Sequence, residues 1–137
     1  MNDLGTALKH SRCIVCLWSP LYFRSKWCVS EWLTFVEREK LVDAELVMPA
    51  SFFDGKNFPE AATARQFADF SAYASTIPRF WNTKLAIVFE DKLLKPFAKD
   101  LAAMIGQAPP FDEGFPIVLA NDEDVLAAGK IERLANA

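Results

Sequence analysis

The sequence predicts an α/β domain: a small parallel sheet of three strands, with helices before, between and after them. Three observations predict it. Apolar runs of strand length alternate with stretches of helical periodicity, in the order α-β-α-β-α-β-α. The first run, Cys13 to Trp18, is apolar at every position, the pattern of a strand covered on both faces. Hydrophobic residues make up 52% of 137 residues and Phe occurs 12 times, enough for one domain with one core.

The elements follow in order. Asp3 to His10 carries Leu4 and Leu8 one turn apart and reads as a short helix. Cys13–Trp18 is the first strand, ended by Ser19-Pro20 because proline donates nothing to a ladder. Ser25 is the N-cap of the next helix, and Cys28, Trp32, Phe35 and Val36 form its apolar stripe. Glu37, Arg38, Glu39 and Lys40 close that helix on its wet side. Leu46 to Phe53 is the second strand, where Pro49 predicts a bulge or irregularity. Asp54-Gly55-Lys56-Asn57 is a turn signal.

Glu60 to Ala68 is a short helix opened by Pro59. Asp69 to Tyr73 is a candidate third strand, followed by a Pro78 turn. Leu85, Phe89, Leu93, Phe97, Leu101 and Ile105 recur every fourth residue, which predicts a long amphipathic helix packed on the core. Pro96 should kink or interrupt it, and Gly106 with Pro109-Pro110 should end it. Phe80 and Trp81 are expected in the core. Phe115 to Leu119 is β-like, and Glu123 to Leu134 is a small polar helix.

Composition excludes several functions. The net charge is −3 without a basic run, so no nucleic-acid surface is indicated. No apolar run approaches the roughly 20 residues of a membrane span, and the N-terminus lacks a leader pattern. Three cysteines in apolar or helical surroundings suit free thiols in a reducing compartment, so a cytoplasmic location is expected. Cys13-x-x-Cys16 has the outline of a metal pair, but residues three apart on a strand face opposite ways and no second Cys/His cluster completes a site. The sole histidine, His10, reads as structural or surface. No Gly-rich phosphate loop occurs, and Ser19 and Ser30 lack His/Asp partners at useful spacing.

The most informative stretch is Ser11 to Glu31. It is a strand, a loop rich in Ser and aromatics, then a helix bearing Glu31 one turn after Trp27. Open α/β sheets place ligand sites just beyond the carboxyl ends of their strands. Taken alone, an acid in the second turn of a helix is an ordinary surface residue that the helix dipole favours.

Ser19-Pro20-x-Tyr22 and Ser25-x-Trp27-Cys28-x-x-Glu31 resemble the third strand, following loop and third helix of a Toll/interleukin-1 receptor (TIR) domain, most closely the bacterial branch. Met48 to Pro59 resembles the fourth strand with its loop, and Gln66 to Tyr73 the short fifth strand. The resemblance runs from about Leu4 to Pro110 and divides the chain into 1–110, the C-terminal portion of a TIR domain, and 111–137, a C-terminal extension. It implies a partial flavodoxin-like fold with counterparts of strands three to five only. A strand as apolar as Cys13–Trp18 expects neighbours on both sides, so the reading is of an N-terminally truncated domain with an association-prone edge.

The resemblance further implies chemistry. Many bacterial TIR domains hydrolyse NAD at the nicotinamide–ribose bond, as defence or signalling effectors. Their catalytic glutamate lies in a Trp-x-x-x-Glu pattern that falls here on Trp27 and Glu31. NAD is then substrate and no cofactor is expected. Glu31 would stabilise an oxocarbenium-like ribose, and Trp27, on the same helix face, would wall the pocket. Ser19, Tyr22 and Ser25 either contact ribose or phosphate or serve only the turn and cap. Expected partners are NAD and other TIR domains, including copies of itself, with neither nucleic acid nor membrane. The rival reading is a non-enzymatic TIR–TIR interaction module.

Overall fold

A computed structural model describes residues 2–52, 58–73 and 78–123. Over these, three parallel strands form one open sheet with flanking helices, in the order β1 (Ile14–Trp18), β2 (Val47–Ser51), β3 (Ala68–Asp69). The helices are α1 (Asn2–His10), α2 (Lys26–Val42), α3 (Glu60–Thr63), α4 (Lys84–Phe89) and α5 (Lys95–Gln107). Short 3-10 turns lie at Tyr22–Arg24, Ser71–Tyr73 and Pro78–Asn82. The expected Asp54–Asn57 turn, and the expected C-terminal helix beyond Glu123, lie outside the described residues.

β1 and β2 pair in register from Ile14 opposite Val47 to Trp18 opposite Ser51, without the bulge expected at Pro49. The ladder explains why. Ile14 N–H donates to Leu46 O and Phe52 N–H to Trp18 O, so even-numbered residues of β2 face β1. Pro49 therefore turns its missing N–H toward β3, which pairs only with Ala50 and Ser51. The proline sits where no donor is required.

Third-strand pairing is shorter than Asp69–Tyr73. The Asp69 carboxylate accepts from Ser71 N–H at 2.9 Å and from its hydroxyl at 2.5 Å, turning the chain out of the sheet after Asp69. α3 also ends early, at Thr63, whose hydroxyl donates to Glu60 O at 3.1 Å.

The sheet's two faces are built differently. On one, α1 and α2 cover Cys16, Trp18 and Val47, and Trp18 meets Phe23, Trp32, Phe58 and Phe67 at 5.5–6.0 Å between ring centroids. On the other, Phe89 and Phe97 pack on Phe70, with Ala50 beneath. That cover stops short of β1. Val15 is 39% exposed and Leu17 58%, so the first strand is covered on one face only, not both.

Two further expectations are corrected and one is given its mechanism. The stripe from Leu85 to Ile105 is buried only at Phe89 and partly so at Leu93, Phe97 and Leu101, because a four-residue spacing advances roughly 40° per step beyond a full turn. Phe89 is buried, whereas Leu85 and Ile105 are exposed. Pro96 interrupts the α-helix as expected, without ending it: α4 stops at Phe89 and α5 begins at Lys95. Residues Glu90–Leu94 form a π segment in which Lys95 N–H donates to Glu90 O, and this wider turn absorbs the proline. Trp81, expected in the core, is 65% exposed.

Arg38 and Glu39 lie away from the wet side of α2. Arg38 is 1% exposed; its guanidinium donates to Leu8 O at 2.9 Å and Ser11 O at 2.7 Å, satisfying the carbonyl end of α1. The same group stacks between Phe35 and Phe115, each 4.4 Å away. Glu39 accepts from Leu46 N–H and Val47 N–H and pairs with Arg65, pinning the start of β2. Phe115–Leu119 is no strand: it lies along α2 and bonds to that helix's side chains.

Candidate functional site

The loop after β1 sets the site. Tyr22 N–H donates to Ser19 O at 3.0 Å and Ser25 N–H to Tyr22 O at 3.2 Å, winding a tight turn off the carboxyl end of the strand. Ser25 then adopts extended backbone and its hydroxyl accepts from Cys28 N–H at 3.3 Å, capping α2 as its sequence predicts. The first turns of α2 are thereby fixed at the sheet's carboxyl edge, where ligands of open α/β sheets are held.

Glu31 is half-buried there. Among the described residues its carboxylate has no hydrogen bond or ion pair, and burial alone raises its pKa. Its charge acts on Tyr22 and Cys16. The Tyr22 hydroxyl points inward and donates to Cys16 Sγ at 3.4 Å. Burial pushes the Cys16 thiol up to about 11, opposed by that hydrogen bond and reinforced by the Glu31 charge. Burial, then Cys16, then Cys28 and Glu31 likewise hold the Tyr22 hydroxyl well above the ordinary tyrosine range. A carboxylate so poor in partners is stabilised by an arriving cation or hydroxyl donor.

The structure thus gathers Glu31, Tyr22, Cys16 and Cys28 into one corner. Trp27, 51% exposed, lies on the outer side of α2, one turn before Glu31. Ser19 and Ser25 take part in the turn and the cap. The two cysteines are neighbours that sequence reasoning missed as site residues. The signal was available: Cys28 precedes Glu31 by one turn, and Cys16 lies on the face of β1 that α2 covers. A separate groove of about 790 Å³ lies between α5 and the amino ends of β2 and β3, beside Val47, Pro49, Phe67 and Phe97. Neither α2 nor the Ser19–Ser25 loop lines it, so it is no part of the Glu31 corner.

Among the described residues no group of three or more His, Cys, Asp or Glu is arranged to hold a metal ion. No helix among them is long and apolar enough to cross a membrane. Comparison with curated proteins and with solved structures returns no match. A family model described as TIR domain matches residues 1–80, a span that contains β1, the Ser19–Ser25 loop, α2, β2 and β3. Since that match covers more than half of the chain, this protein belongs to the TIR domain family.

Proposed function

We propose that the chain is the Glu31-bearing part of an NAD nucleosidase that hydrolyses the nicotinamide–ribose bond. The observation that carries the reading is the Glu31 carboxylate itself: half-buried, without a partner among the described residues, and set just beyond the carboxyl end of β1. Nicotinamide leaves NAD as a neutral molecule from a cationic ring, so its departure needs no proton. The ribose left behind carries oxocarbenium character, and one carboxylate suffices to stabilise it and orient its hydroxyls. Trp27 offers an aromatic surface at the mouth of the corner. A strand beside β1 would supply the opposite wall of the pocket.

The test is to incubate the concentrated chain with NAD and measure free nicotinamide. Release abolished by Glu31→Ala is expected. Release that Glu31→Ala leaves unchanged overturns the reading.

A second reading is a TIR–TIR interaction module that does no chemistry. It is favoured by β1, where Val15 and Leu17 are exposed. Even-numbered residues of β1 bond to β2, so the main chain of Val15 and Leu17 faces the open edge, with no strand beside it among the described residues. Concentration-dependent association without nicotinamide release supports this reading against the first.

A further inference from the structure

The polar stripe of α2 carries an inference that neither the family match nor the catalytic reading contains. Lys26, Ser30, Thr34 and Arg38 recur every fourth residue, and each meets the segment 115–122 as it runs antiparallel to the helix. Arg38 stacks on Phe115 at 4.4 Å. Thr34 Oγ1 accepts from Val118 N–H at 2.9 Å and donates to Val118 O at 3.3 Å. Ser30 Oγ accepts from Ala120 N–H at 2.9 Å while donating to Lys26 O at 2.6 Å. Lys26 pairs with Asp122 at 3.5 Å.

The segment also reaches α1: Ile117 lies over Gly5, and just upstream Phe111 stacks on His10 at 4.3 Å. Two hydroxyls of α2 thus take the place of a neighbouring strand, satisfying main-chain groups of a segment that would otherwise need a ladder. Thr34 is 0% exposed, Ser30 5% and Ala120 2%, so these bonds are desolvated. The Lys26–Asp122 pair is exposed on both sides and holds little by comparison.

We propose that residues 115–122 are an intramolecular clamp on α2 from Lys26 to Arg38, so that the placement of Glu31 is set by chain lying outside the family-matched region. Glu31 follows Ser30 directly, about 100° further round the helix. It therefore lies between the clamp and the Cys16–Tyr22 corner. Ser30 and Thr34 are positioning residues: they act on the site through the backbone of α2. The bearing on catalysis rests on the NAD-cleaving reading, whereas the clamp does not.

The test uses the full chain with Ser30→Ala and, separately, Thr34→Val, each checked for retained fold by circular dichroism; Thr34→Ser, which keeps the hydroxyl, is the rescue control. Amide hydrogen exchange at Val118 and Ala120 should accelerate by about ten-fold or more. Exchange at residues 28–32 should accelerate with it, and the Glu31 carboxyl titration should move toward the ordinary glutamate value. Nicotinamide release should fall in parallel, with Thr34→Ser near the parent. Clamp amides that loosen while residues 28–32 and the Glu31 titration stay put overturn the proposal, as do clamp amides that do not loosen. If the variants fail to fold, the parent decides: unprotected Val118 and Ala120 amides beside a protected α2 overturn the clamp, and matched protection supports it. A parent that releases no nicotinamide sinks the catalytic reading alone, because exchange and titration read the clamp without it.

Discussion

The two faces of the sheet differ in how they meet β1. On the Trp18 face the strand is sealed by α2 and an aromatic cluster, and the candidate site grows out of that packing. On the Leu17 face the same strand is open, because α4 and α5 lie over β2 and β3. Alternate residues of one five-residue strand therefore have opposite physical roles. Cys16 and Trp18 anchor the helix that carries Glu31, while Val15 and Leu17 offer apolar surface and, among the described residues, a main-chain edge with no strand beside it. The anchored face positions the acid, and the open face leaves Val15 and Leu17 exposed.

The largest effect that would sharpen this contrast is Trp18→Ala. Trp18 is 0% exposed and meets four aromatic rings, so its removal should cost about 3–5 kcal/mol in urea unfolding. A loss near 1 kcal/mol would show that the aromatic cluster does not hold β1 to α2.

How much of this was legible in the chain follows from the same residues. The alternating order of elements, the Ser25 cap and the Ser19-Pro20 strand end were readable because each rests on local chemistry, and the motif around Glu31 through the family resemblance alone. The open face was not. An apolar run is equally consistent with a strand covered twice and one covered once, and only the reach of α4 and α5 decides. The fate of Arg38 was hidden for a related reason. A cation on an amphipathic helix normally faces water, and here it is kept inside by carbonyl groups of α1, a contact across 27 and 30 residues of sequence. At the candidate site the acid was legible and the Cys16–Tyr22 contact was not, since it depends on how tightly the loop winds.

Arg38→Met comes next in size. It keeps an apolar stem but leaves the carbonyls of Leu8 and Ser11 without their charged donor, so a loss of roughly 2–3 kcal/mol is expected from chemical denaturation. No loss would break the view that the Trp18 face is sealed by α1 through Arg38.

On the opposite face, Leu17→Ser should change stability by less than about 0.5 kcal/mol, since the side chain is already 58% exposed. The same change should lower self-association measured by sedimentation. A loss of several kcal/mol would mean that the Leu17 face is packed in solution.

The smallest expected effect is on Glu31 and it depends on pH. Burial raises the carboxyl pKa, so the folded state binds the proton more tightly than the unfolded state does. Stability therefore falls as pH rises from the unfolded pKa through the raised folded one. Glu31→Gln should raise the melting temperature at pH 7 and not at pH 4. A gain of the same size at both values would remove burial of the charge as its cause.

The most direct measurement is a carbon-13 carboxyl titration of Glu31, run alone, with NAD and with NADH, whose reduced nicotinamide carries no positive charge. The midpoint is expected above the ordinary glutamate value in the free protein, with a downward move with NAD and a smaller one with NADH. A midpoint at the ordinary value that neither ligand moves would contradict this expectation.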